Sequence, residues 1–338
     1  MAAAAVACPC GDASLCRPLA TPAAAREILA FTTGESWRSY LGLEPKVTTV
    51  AVFGTVDPEL VCKAHQQGAR VVVGVEMDKA KIPDPAARTQ WVDSLVPRMA
   101  AEGIDGFNLD IEGNTGNREA VTALVKELAE KARAANPHAQ LSFDLSIYPQ
   151  GQTGGYEHKE LAQYLDFILP MSYDLCWGAG AATANSPLAA LSKGIQQYSD
   201  LGVPASKIVM GLPWYGWDFP CDDTTPWAAC KVTVPSGKPW YGYVTQQSYT
   251  SINATAVASG SRLDAASQTM FTEEVDGAGQ RHQRWFDNPG TLRSKYHQAA
   301  SLGCRGVGFW TADEVDWTTG EGADMWSALA AFSHDVLV

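Results

Sequence analysis

Asp105-Gly106-Phe107-Asn108-Leu109-Asp110-Ile111-Glu112 is the stretch whose reading decides the fold. Phe107, Leu109 and Ile111 alternate with polar residues at period two, which is the pattern of a β-strand. The same alternation lines up Asn108, Asp110 and Glu112 on the opposite face. Each unpaired buried charge costs several kcal/mol, so a ladder of carboxylates persists only where it has a use. The inside of a parallel barrel, with Glu112 at the C-terminal rim, is such a place. This arrangement points to an enzyme.

Working outward, short β-branched runs also occur at 28–33, 49–54, 70–75, 140–146, 167–173, 208–214 and 307–310, on either side of 107–112. Helical stretches follow them. The clearest places Val121, Leu124, Val125, Leu128 and Ala132 at i, i+3, i+4 spacing and stops at Asn136-Pro137. Eight strand–helix repeats predict an α/β chain folded as one closed (β/α)8 TIM barrel over residues 1–338. A doubly wound sheet is the alternative, but neither G-x-G-x-x-G nor a P-loop is present. Runs seven and eight are separated by about a hundred residues. An insertion over 217–283 is therefore expected, carrying Trp227, Trp240, Tyr241, Tyr243 and Tyr249 and walling one side of the cleft.

The 338 residues are 46% hydrophobic, enough for a sizeable core. A net charge of −12 disfavours nucleic acid and anionic membrane surfaces as partners. No apolar run approaches the ~20 residues of a membrane helix. The six histidines are scattered without metal-ligand spacing, and the eight cysteines include no C-x2-C pair. No metal or organic cofactor is implied. Disulfides are the better reading of the cysteines. Cys221 with Cys230 is the first expected bridge, and Cys8, Cys10 and Cys16 tie down the N-terminus, with Cys62 as a candidate partner. Cys176 and Cys304 read as free thiols. Asn253-Ala254-Thr255 is a glycosylation sequon. Residues 1–7 are too short for a secretory signal and lack a basic segment. The expectation is a secretory-route protein whose signal is absent or truncated in this chain.

Asp105-Gly-x-Asn108-x-Asp110-x-Glu112 resembles the D-G-x-D-x-D-x-E signature of the family 18 glycoside hydrolases, the chitinase-like barrels. Met171-Ser172-Tyr173-Asp174 is similar to their strand-six motif, Gly211-Leu212-Pro213-Trp214-Tyr215-Gly216 to that of strand seven, and Gly308-Phe309-Trp310 to the end of strand eight. The four matches are in register over residues 26 to 330. Pro213–Gly216, the N-terminal Cys-Pro-Cys and the segment from His282 to Pro289 resemble the branch of the family that splits the chitobiose core of N-linked glycans.

The resemblance implies retaining, substrate-assisted cleavage of GlcNAc-β-1,4-GlcNAc, with the reducing end as the point of attack in that branch. Glu112 would be the acid and the substrate's own acetamide the nucleophile, so no second carboxylate need attack the anomeric carbon. Asp110 would orient the acetamide N–H. Tyr173 would bond its oxygen, Asp174 would support that site, and Trp310 would floor it. Asn108, Asp144, Met171, Trp214 and Tyr215 join the expected substrate-binding set. An endo-acting chitinase and a sugar-binding lectin are the alternatives, and Glu112 weighs against the lectin. A small β-linked GlcNAc oligosaccharide is the expected partner, the protein is expected to be a monomer, and a lysosomal, vacuolar or secreted location follows.

One departure stands out. The family usually has Asp where this chain has Asn108. In 141–147, Ser142, Asp144 and Ser146 alternate with apolar residues, which aims Asp144 into the barrel. Asp144 is therefore expected to replace the missing inner carboxylate as the partner of Asp110.

Overall fold

A computed structural model describes residues 8–113, 115–152 and 154–333; the first seven residues, where a targeting signal would be sought, lie outside it. Seven barrel strands come first: β1 (Glu27–Thr32), β2 (Thr49–Val52), β3 (Arg70–Val75), β4 (Gly106–Leu109), β5 (Gln140–Ser146), β6 (Phe167–Met171) and β7 (Val209–Pro213). An antiparallel sheet follows, made of β8 (Tyr215–Pro220), β9 (Thr245–Ser248), β10 (Ser261–Asp264), β11 (Thr269–Val275) and β12 (Arg281–Phe286). Strand β13 (Gly306–Trp310) then closes the barrel between β7 and β1, giving eight parallel strands in the order β1-β13-β7-β6-β5-β4-β3-β2.

The barrel is a packed core rather than a pore. Leu29, Phe31, Ala51, Val72, Phe167, Leu169 and Val209 fill its middle and are buried. Gly74 on β3 makes room for a wide neighbour, since a Cβ there would lie 2.7 Å from the Phe53 ring. Outward-facing residues of the strands pack against helices such as Arg118–Ala135, whose Val121, Leu124, Val125, Leu128 and Ala132 are buried as one stripe. The Asn117 side chain caps that helix through the N–H of Ala120.

The N-terminal end of the barrel is closed by the chain's own start. Disulfides Cys8–Cys16 and Cys10–Cys62 fasten the arm, and Asp105 holds it underneath. That carboxylate accepts from Leu19 N at 2.7 Å, Val71 N at 2.7 Å and His65 Nε2 at 2.8 Å. Asp105, the first Asp of the signature, therefore works at the end of the barrel opposite Glu112. Cys221–Cys230 is the third disulfide, and Cys176 and Cys304 are buried free thiols.

Several expected boundaries move. Strand β4 ends at Leu109, so Glu112 sits on the loop beyond it; among the described residues the bond from Asp110 N to Val75 O, 2.9 Å, is the one that extends the ladder past Leu109. Strand β6 ends at Met171, which leaves Tyr173 and Asp174 on a loop as well. The inserted sheet begins at Tyr215 and returns at Phe286, so it is longer at both ends than 217–283. Tyr249 does not wall the cleft: it is 4% exposed and its ring lies 6.0 Å from Phe286. Asn253 lies, partly exposed, on the helix Tyr249–Ser259.

Candidate active site

Register sets the acidic group. Asn108 on β4 pairs with Ser142 on β5, so one pleat higher Asp110 comes level with Asp144. The Asn108 Nδ2 donates to Ser142 Oγ at 2.9 Å and to Asp144 Oδ1 at 2.9 Å. Asn108 has no exposed surface, and so acts on Asp144 rather than touching a substrate. That corrects its expected place among the substrate contacts. Asp144 itself is 3% exposed. Burial, and next the charge of Asp110, push its carboxyl well above the ordinary range, while the Asn108 amide pulls it the other way.

Asp110 is pushed up to about 6, chiefly by burial and then by the charges of Glu112 and Glu76. Among the described residues its Oδ1 has no hydrogen-bond partner. Glu112 is also raised, by burial first, then Asp174 and Glu76, with Lys79 opposing. All three carboxyls thus hold a proton more tightly than a solvated acid does. Glu112 lines two hollows. One, of about 250 Å³, also involves Asp144, Met171, Tyr173 and Asp174; the other, of about 120 Å³, involves Glu76, Lys79 and Asp110.

Asp174 faces this group from the loop after β6. Its backbone is left-handed, with φ 59°, a conformation uncommon outside glycine. Asn185, fully buried, fixes it by accepting from Asp174 N at 2.6 Å. Two donors from the inserted sheet meet on Asp174 Oδ1: Tyr215 Oη at 2.5 Å and Trp217 Nε1 at 3.0 Å. Burial raises Asp174 and these two donors lower it. Tyr173 is held firmly in its neutral phenol form by burial and by the surrounding Asp144, Asp174, Asp110 and Glu112. Trp310 stands at the end of β13 against Phe31 and Phe53, with centroids 5.2 and 5.1 Å away.

Trp214 is not in this group. It is fully buried outside the barrel, stacked on Phe309 at 3.9 Å, and its Nε1 donates to Tyr296 Oη at 3.0 Å. Parity explains the correction: Val209 of β7 points inward, so Met210, Leu212 and Trp214 point out. Tyr215 lies close to the site but is 3% exposed and meets it through Asp174. Several neighbours fall outside the motifs. Asn185 has no pattern to mark it. Trp217 had a signal, because Tyr215, Trp217 and Phe219 alternate on one face. Lys79, Glu76 and Tyr156 act on or beside the Glu112 segment without a sequence pattern.

Carboxyls of raised proton affinity at the C-terminal rim of a parallel barrel, beside a small polar hollow and an aromatic floor, fit a glycosidase. The sequence matches the Glycosyl hydrolases family 18 over residues 76–314, and the chain belongs to that family. It is 34% identical to the di-N-acetylchitobiase of Mus musculus over 95% of this chain and 92% of the relative. It is 32% identical to that of Homo sapiens, covering 92% and 84%. Its fold is also similar to that of a chitinase from Trichuris suis, with a TM-score of 0.75, 18% identity, and 91% of this chain and all of the other superposed.

Proposed function

We propose that this protein hydrolyses GlcNAc-β-1,4-GlcNAc with retention, through the substrate's own acetamide. The observation that carries the reading is the stack Asp144–Asp110–Glu112, read with the Asp174 and Tyr173 pair across the hollow. Glu112 gives its proton to the glycosidic oxygen as the C1–O bond breaks. The acetamide carbonyl oxygen closes on C1, forming a cationic oxazolinium. Asp110 accepts from the acetamide N–H and balances that charge, while Asp144 keeps the shared proton and leaves Asp110 free to ionise. Tyr173 donates to the acetamide oxygen, and Trp310 and Met171 underlie the ring. Glu112, now a carboxylate, takes a proton from water as the water opens the oxazolinium from the face the leaving group vacated.

The likeness to chitobiases supports a finer assignment: release of a single GlcNAc from the reducing end of the chitobiose core of N-glycan fragments. The hollow of about 250 Å³ is small for a long chain. Three disulfides support a secreted, lysosomal or vacuolar protein, and the protein acts as a monomer with a glycan at Asn253.

The test is digestion of a GlcNAc oligomer at acidic pH, with the reducing end free or chemically blocked, followed by mass spectrometry. Release of GlcNAc from the free form only is the expected result. Internal cleavage of both forms would make the enzyme a chitinase, and binding without cleavage would overturn the catalytic reading.

A further inference from the structure

Glu112 lies beyond the last residue of β4, where no sheet ladder holds the backbone. Yet the three carbonyls around it are all occupied. Tyr156 Oη lies 2.5 Å from Ile111 O and 2.7 Å from Gly113 O, its single proton shared between them. Lys79 Nζ donates to Glu112 O at 2.8 Å. Tyr156 comes from the segment after β5 and is 2% exposed. Its ring is set edge-on by Phe143, 5.8 Å away, and by His158, 5.9 Å away. Thr115 Oγ1 donates to Gly155 O at 2.9 Å and binds the same two segments together one step further on. Gly113, at φ 79°, supplies the left-handed turn that brings its carbonyl back toward Tyr156.

We infer that Tyr156 and Lys79 are positioning residues for Glu112, clamping its main chain through three successive carbonyls so that the carboxyl is presented in one geometry. This rests on the reading of Glu112 as the acid. A carboxyl on unpaired loop backbone would otherwise sample several positions, and a misplacement of about 1 Å is enough to cost two orders of magnitude in rate. Lys79 has a second effect. Its ammonium is the positive charge acting on Glu112, set against Glu76 from the same segment, Asp110 just beyond β4, Asp144 from β5, and Asp174 and Tyr173 from the loop after β6. The clamp therefore also bears on when Glu112 gives up its proton.

Tyr156→Phe, Lys79→Met, Lys79→Arg and Glu112→Gln should be assayed on a GlcNAc oligomer across pH, alongside their thermal unfolding. Tyr156→Phe is expected to lower kcat of the folded enzyme about ten- to a hundredfold, with KM within about twofold of wild type and Tm down by a few degrees for the lost buried hydroxyl. Lys79→Met lowers kcat and moves the basic limb of the pH profile upward, because the acid stays protonated longer without the ammonium; Lys79→Arg restores most of both. A merely structural role would lower Tm while leaving kcat of the folded fraction and the limb in place. Wild-type kcat in Tyr156→Phe, or an unmoved limb in Lys79→Met, would overturn the clamp. Lys79 is exposed, so its variant reports even if Tyr156→Phe fails to fold. An active Glu112→Gln would overturn the catalytic reading itself, which separates the two failures.

Discussion

Asp105 and Asp110 stand at opposite ends of β4. Asp105 receives two backbone N–H groups and a histidine, and Arg70 lies 3.9 Å from it. Among the described residues Asp110 is left with one unpartnered oxygen, and its neighbours are negative. One strand is thus flanked by a carboxylate whose donors make it part of the framework and by another that has few donors of its own. Burial alone does not tell a structural acid from a reactive one; the number of donors around it does.

The contrast can be broken by mutation. The largest effect is expected from Glu112→Gln, which should lower kcat about 10²–10⁴-fold while the protein stays folded, as measured by steady-state hydrolysis. Next, Asp105→Ala strands a buried histidine and two N–H groups. It should cost about 3–5 kcal/mol in urea unfolding without changing kcat of the folded fraction. Asp110→Asn should do the reverse, abolishing most activity while keeping or raising Tm.

A titration sharpens the same contrast. An unfolded Asp ionises near pH 4, whereas Asp110 does so at about 6 and Asp144 is shifted in the same direction. Between those values the folded state binds more protons, so stability falls as pH rises from about 4 to 6. Tm measured against pH should show that slope, and Asp110→Asn or Asp144→Asn should flatten it. Asp144→Asn should also displace the pH–rate profile; an unchanged profile would remove Asp144 from the proton-holding role. The smallest effect on activity is expected from Trp214→Phe, a stability loss of about 2–3 kcal/mol for the bond to Tyr296 and the cavity left behind, with kcat and KM unchanged.

The fold was legible because each barrel strand is a short apolar or alternating run, and the runs 70–75 and 140–146 coincide with β3 and β5. The acidic ladder was legible for the same reason: parity alone places Asn108, Asp110 and Asp144 inside the barrel. Strand ends were less so, because an alternating pattern continues through Ile111 and Glu112 after the hydrogen bonds have stopped. Parity would also have sent Trp214 outward had it been counted from Val209. Tyr156 and Lys79 were out of reach, since they act on main-chain carbonyls that every residue carries. Asp174 had a motif, but its partners Asn185 and Trp217 come from distant segments.

The inserted sheet looks like a removable cassette. It has its own disulfide, and a buried Arg281 that bonds Glu273 at 2.6 Å and the loop around Asp223. Its first strand nevertheless supplies both donors to Asp174. Anyone grafting a different wall onto this barrel to change which glycans it accepts would also unfasten Asp174, an acid of the proposed reaction centre. Swaps in this scaffold should therefore keep Tyr215 to Trp217 with the barrel and begin after them.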